Sequence, residues 1–310
     1  MKTSIFSIVF GTATLVSSFA TAANAASGNH LFYSQKAIEE NLKMYNDSEK
    51  AALQKDLENV RKSWFSEVRD SLPKPLYLAS AGAPGSAKTS IMERFMQDNG
   101  LTTKTVYIDP DQRALKLLTN TYQAELKRIV NSPSEIKNAY DKWKGGSKYI
   151  TLTLLEEAFT QKKSIAHGAD LTTDDTAKFL SKVKDAGYDI MLLLCSADDE
   201  FRQKTIQFKN DVEQFFNINP TDEVNKSKYF TQQMPTYFTY ANTLYLYWSN
   251  ELGTSEHVAA ILQNGNVQVV NMDAMNHFVQ KYEADRAVLA KEGKKIPAWD
   301  ELVRTYQKRF

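Results

Sequence analysis

The sequence predicts an α/β fold: a parallel β-sheet flanked by helices, with a helical extension before it and further helices after it. Three observations carry that prediction. Apolar, strand-like runs alternate with helical periodicity from Leu76 to Val212 in the order β-α-β-α-β-α-β-α, and such alternation builds parallel sheets with helices on both faces. The run YDIMLLLCSA is apolar almost throughout, as suits a central strand buried on both sides. Between the first strand and its helix lies a glycine-bearing loop, Gly82-Ala83-Pro84-Gly85-Ser86-Ala87-Lys88-Thr89.

Taken in order, the chain opens with residues that have the form of a secretory signal rather than of the fold. Lys2 precedes an apolar run from Ile5 to Val16, and the small-residue exit Ala23-Asn24-Ala25 predicts cleavage after Ala25. The apolar core is short for a membrane span, so the mature form is expected free of the membrane, periplasmic or secreted. Residues 26–74 are charged and helix-rich, with helices expected over Ser34–Tyr45 and Asp47–Val68, and Pro73 and Pro75 stop them. Residues 75–272 hold the alternating core. LYLASA is the first strand, and SIMERFMQ after the loop places Ile91, Phe95 and Met96 at helical spacing. TVYID is a second strand, and a helix is expected from Asp111 to Val130, with Leu115, Leu118, Tyr122, Leu126 and Ile129 on one face. Ser132-Pro133-Ser134-Glu135 reads as a loop and capping box, and Gly145-Gly146 as a break in the helical stretch that follows. SIAHGAD gives a third strand leaving into a loop. The aromatic-dense PTYFTYANTLYLYWSNEL is expected as a helix packed on the core. Asn264-Gly265-Asn266 signals a hairpin, and residues 273–310 are expected as C-terminal helices packed on the core.

Composition narrows the function. A formal net charge of +1 gives no bulk electrostatic preference for nucleic acid or membrane. The single cysteine, Cys195, excludes an intramolecular disulfide and reads as a buried strand residue. A chain of this length builds its own core without one.

The loop supplies the chemistry. A triphosphate is held by backbone N–H groups in a tight turn, by the positive end of the following helix and by one lysine. Gly82 lets the chain leave the strand and Gly85 adopts angles closed to larger residues. The segment Gly82, Gly85, Ser86, Ala87, Lys88, Thr89 and Ser90 is therefore the candidate ATP site. Lys88 would reach the β- and γ-phosphates, and the Thr89 hydroxyl would hold Mg²⁺. Ala87 departs from the pattern, which has glycine before the lysine.

Ligands of parallel sheets bind at the carboxyl ends of the strands, and further candidates fall there. Asp111 is the preferred base for an acceptor hydroxyl and Asp109 the metal or metal-water contact; the alternative for Asp111 is a helix cap. His167 and Asp170 follow the third strand as candidate substrate contacts, although a structural histidine is an equal reading. Phosphoryl transfer also needs cations on the moving charge. Arg202 and Lys209 are the candidates after the fourth strand, with Lys204, Lys226 and Lys228 nearby; each also reads as a solvated charge.

Together GAPGSAKTS, YIDPD, SIAHGADLTTDDTAKFLSKVKDAGYDIMLLLCSADDEF and the late ILQNGNVQVVN resemble the zeta-toxin type of P-loop kinase, over roughly Leu76 to Asn271. The resemblance implies ATP- and Mg²⁺-dependent phosphorylation of a hydroxyl on a small nucleotide-type acceptor such as a UDP-amino sugar. It implies Lys88 and Thr89 on nucleotide and metal and Asp111 as base. Ala87, Ala166-His167 where the family has an acidic-glycine segment, and the sparse arginines depart from it. The expected function is an exported phosphotransferase, an effector by the export signal. The alternative is a degenerate, non-catalytic nucleotide- or partner-binding protein on the same scaffold.

Overall fold

Residues 32–130, 132–169, 171–213, 219–250 and 257–310 are described by a computed structural model. The expected leader and Asp170 lie outside them. Helix α1 (Gln35–Glu39) continues into a short 3-10 turn, and α2 (Asp47–Ser66) begins at a reciprocal capping box between Asn46 and Glu49. Leu53, Leu57, Val60 and Trp64 recur along α2 at helical spacing and bury that face in the main core.

Strand β1 (Leu76–Gly82) is buried at every residue. It is followed by α3 (Lys88–Asp98), β2 (Val106–Ile108), a π-helical turn at Pro110–Ala114, α4 (Leu115–Leu117), α5 (Tyr122–Leu126) and α6 (Pro133–Thr160). Then come β3 (Ile165–His167), α7 (Thr176–Asp185), β4 (Asp189–Ala197), α8 (Asp199–Glu213), α9 (Pro220–Val224) and α10 (Ser227–Tyr240). The remainder is β5 (Thr243–Ser249), β6 (His257–Gln263), β7 (Asn266–Val269), α11 (Met272–Lys291) and α12 (Trp299–Gln307). The strands form one sheet in the order β2-β3-β1-β4-β5-β6-β7. The pairings from β2 to β5 are parallel, and β6 and β7 return antiparallel. Tyr77, Ala79 and Ala81 of β1 face the larger core with α2 and α6; Leu76 and Leu78 face a second cluster built on Ile91, Met92, Phe95 and Met96 of α3. Two apolar faces on one strand are what a fully buried parallel strand requires.

Three local expectations are corrected. TLYLYWS is not helical: after α10 the chain turns at Ala241-Asn242 and forms β5, paired with β4 from Met191↔Thr243 to Ala197↔Ser249. Its side chains alternate faces. Tyr245 meets Phe95 of α3 edge-on at 4.9 Å, while Leu244, Leu246 and Trp248 face the larger core, so period two outweighs aromatic density. The expected helix over 111–130 is broken at Leu118–Thr121 by Asp56 of α2, a fully buried carboxylate. It accepts from Asn120 N and Nδ2 at 2.8 Å and from Thr121 Oγ1 at 2.6 Å. Those bonds replace the helical ones.

Finally, Gly145-Gly146 does not interrupt α6. A Cβ on Gly146 would lie 2.5 Å from Leu53 Cδ2, and Gly146 N donates to Tyr45 Oη at 2.8 Å. The glycine marks a close approach to α2, not a break. By contrast Asn264 and Gly265, at φ 50° and 75°, form the expected two-residue hairpin turn between β6 and β7. No helix among the described residues is long and apolar enough to cross a membrane.

Candidate functional site

The carboxyl ends of the parallel strands open onto a cleft of about 510 Å³. The loop after β1 forms one wall through Pro84, Gly85, Lys88 and Thr89. Gly85 sits at φ 80°, and a Cβ there would lie 2.6 Å from the carbonyl oxygen of Arg202. Ala87 occupies the left-handed region at φ 60°, ψ 19°, immediately before α3. This is the position where the motif has glycine, so the loop keeps its path at a strain of about 1–2 kcal/mol. Ser86 turns its hydroxyl back onto Ala83 O at 2.7 Å. Gly82, Ser86 and Ala87 thus set the loop's path, and Ser90 is exposed on α3. Lys88 Nζ bonds Gly82 O at 3.0 Å and Ala83 O at 3.1 Å, which holds the ammonium across the loop.

The opposite wall comes from the end of β2. Asp109, 5% exposed, is fixed on two sides. Its Oδ1 accepts from Asp111 N at 3.0 Å, and Gly168 lies so close that a Cβ there would be 2.3 Å from Oδ2. The capping bond of the π-helical turn therefore comes from Asp109, and Asp111 projects into the cleft beside Tyr140, whose hydroxyl reaches Asp111 Oδ1 at 3.4 Å. Burial, and then the charge of Asp111, push the Tyr140 phenol above its ordinary range, so it stays a donor.

Thr89, Asp109, Asp111 and Lys209 line the same cleft as Lys88. Two other candidates stand elsewhere. His167 does not line it: Nδ1 pairs with Tyr77 Oη at 2.8 Å, its ring lies against Tyr77 and Phe179, and burial lowers its pKa to about 4. Arg202, 1% exposed, lies behind the loop. Nε donates to Pro84 O at 2.9 Å, Nη1 to Val224 O at 3.0 Å and Asp199 Oδ1 at 3.1 Å, and Nη2 to Glu223 O at 2.9 Å. Its guanidinium braces the loop instead of facing a ligand.

The cleft also holds residues that the sequence does not assign to it, Tyr140, Asp141 and Lys144 of α6 and Glu223 of α9, together with Lys226, one of the lysines noted beside the candidate cations. Tyr140 and Lys144 are four apart and so share a helix face, but nothing local says which face fronts the cleft. Lys144 pairs with Asp141 at 2.8 Å, and Lys226 pairs with Glu223. Among the described residues, the lining cations are lysines and no arginine lines the cleft. Lysine supplies point charges without arginine's planar fork.

Against known proteins, the zeta toxin family matches residues 61–213. No curated protein matches the sequence. Among solved structures, one from the PezAT chromosomal toxin–antitoxin system of Streptococcus pneumoniae is similar at TM-score 0.50 and 16% identity, over 66% of this chain and 78% of that one. AvrRxo1-ORF1:AvrRxo1-ORF2 with sulphate ions is similar at TM-score 0.55 and 13% identity, over 85% and 90%. The same pair with ATP gives 0.55 and 12%, over 86% and 91%. At these identities the likeness is one of fold, and the fold is a P-loop NTPase-type sheet flanked by helices.

Proposed function

We propose that this chain is an ATP-dependent phosphotransferase of the zeta-toxin type, acting on a hydroxyl of a small nucleotide-type acceptor such as a UDP-amino sugar. One observation carries the reading: Lys88 and Thr89, from the loop after β1, and Asp109 and Asp111, from the end of β2, line one cleft. The family match over residues 61–213 and the fold shared with a structure holding ATP support it.

Each residue has a task set by its chemistry. The loop's N–H groups and the start of α3 take the phosphates, with Lys88 on the β- and γ-oxygens. The Thr89 hydroxyl and Asp109 carboxylate are hard oxygen donors that suit Mg²⁺, and Gly168 keeps that carboxylate in place. Among the described residues no group of three or more His, Cys, Asp or Glu could hold a metal ion. That fits an ion carried in on the nucleotide rather than held in a protein cage. When bound, the ion would neutralise charge on the phosphates. Asp111 accepts the proton of the acceptor hydroxyl, and Lys144, Lys209 and Lys226 offset charge on the moving phosphoryl group.

The lysines that line the cleft among the described residues, with no arginine beside them, favour one second reading, a non-catalytic nucleotide-binding protein. Incubation with Mg-ATP and a panel of UDP-sugars, followed by ³¹P NMR, separates the two. The proposal expects a phosphorylated sugar from wild type and a loss of about 10²–10⁴-fold in Asp111→Asn, with nucleotide still bound. Binding without transfer to any acceptor supports the second reading.

Export is the other part of the proposal. The residues before the fold have the order of a signal peptide, and an exported kinase meets ATP only after delivery into a nucleotide-rich compartment, as an effector would. Mass spectrometry of the secreted protein is expected to give an N-terminus at Ala26.

A further inference from the structure

The brace behind the loop extends beyond Arg202. Asp199 Oδ1 accepts from Arg202 Nη1 at 3.1 Å and from Lys281 Nζ of α11 at 2.9 Å. Lys281 also pairs with Asp285 Oδ1 at 3.1 Å. Asp285 is 7% exposed and accepts from Ser227 Oγ at 3.0 Å and Thr231 Oγ1 at 3.2 Å on α10. The cluster holds two cations and two carboxylates. It starts on a helix outside residues 61–213, the segment matched by the family, and ends on the Pro84 carbonyl.

We infer that Lys281 and Asp285 are positioning residues for the phosphate loop, acting through Asp199 and Arg202. A guanidinium removed from water is held only while paired and hydrogen-bonded. Among the described residues, the carboxylate bonded to Arg202 is Asp199, half exposed on the first turn of α8. Its position is fixed by the second cation, Lys281, which Asp285 orients in turn. With Asp199 in place, Arg202 reaches Pro84, and its backbone packs against Gly85, where even a Cβ would not fit. The same guanidinium holds the carbonyls of Glu223 and Val224, and Glu223 and Lys226 line the far side of the cleft. A change in α11 is thereby transmitted to both the loop and the facing wall. Neither residue touches the cleft, so neither is a catalytic residue.

As a claim about nucleotide affinity the inference rests on the reading of the cleft as an ATP site; as a claim about loop order it does not. The test therefore has two readouts, amide hydrogen exchange over residues 83–91 without nucleotide and Mg-ATP affinity by calorimetry. Lys281→Met and the milder Asp285→Asn are expected to speed loop exchange and weaken affinity, each by about tenfold. Lys281→Arg is expected to restore both. Lys228→Met removes the surface pair between α10 and Glu292, at the end of α11, and is expected to change neither. Added to Arg202→Lys, Lys281→Met should do little more, because both break one chain of contacts. Unchanged loop exchange in a folded Lys281→Met or Asp285→Asn protein overturns the inference, as does full additivity with Arg202→Lys. If wild type binds no nucleotide, the proposed function fails while the exchange comparison still decides the brace.

Discussion

Ala87 shows how far a single residue can be read. The motif called for glycine there, and the backbone is left-handed at φ 60°. The loop therefore keeps its geometry and absorbs the strain in place of relaxing. Ala87→Gly relieves a Cβ penalty of about 1–2 kcal/mol but adds about 0.5–1 kcal/mol of unfolded-state freedom. We expect a stability gain of up to about 1.5 kcal/mol in urea unfolding; a lower midpoint would contradict the strain argument. His167 makes a second prediction. Its folded pKa, about 4 against an ordinary 6.5, means that the unfolded chain takes up a proton first as pH falls. Stability due to neutral His167 is complete above about pH 6.5 and is lost progressively toward pH 4. Unfolding midpoints measured at pH 7 and pH 5 should separate less in His167→Gln than in wild type. The roles proposed for Lys88, Thr89, Asp109 and Asp111 were readable because their chemistry is local to short segments at strand ends. The position of Arg202 was not, because its four partners come from Pro84, Asp199, Glu223 and Val224 and only tertiary structure brings them together.

At the scale of elements, the sequence pattern located the four strands from Leu76 to Ala197, and the misreadings elsewhere have distinct physical causes. A seven-residue strand of tyrosine, leucine and tryptophan directly after a helix lacks polar alternation, since both faces are covered. A helix interrupted by a carboxylate from a distant segment carries no local stop signal; Asp56 supplies it from 64 residues away. The Gly145-Gly146 pair looked like a break and is a contact. In Gly146→Ala about 1–3 kcal/mol of overpacking against Leu53 opposes about 1 kcal/mol of helix propensity gained, so urea unfolding should show a net cost of up to about 2 kcal/mol, and Leu53→Val should recover part of the loss. A clear gain in stability in Gly146→Ala would mean that α2 and α6 are not so closely apposed.

For the molecule as a whole, one sheet organises the site. Parallel pairing brings the loop after β1, the acidic end of β2 and Gly168 after β3 to one rim. That convergence follows from strand order and was legible from the alternation alone. Which helix faces complete the rim was not. Tyr140 and Lys144 come from the long α6, and Glu223 and Lys226 from the region of α9, so their place depends on packing, not on motif spacing. Among the described residues the cleft's cations are lysines, which would keep ground-state binding of a polyanion while offering no planar clamp to the transferring group. Nucleotide affinity is thus the property on which the whole account stands.

Isothermal titration of Mg-ATP into wild type and Lys88→Ala tests that property directly. The account predicts saturable one-site binding to wild type and at least about tenfold weaker binding to Lys88→Ala, a loss of about 1.4 kcal/mol or more. No binding to wild type, or equal affinity in the two proteins, would contradict it.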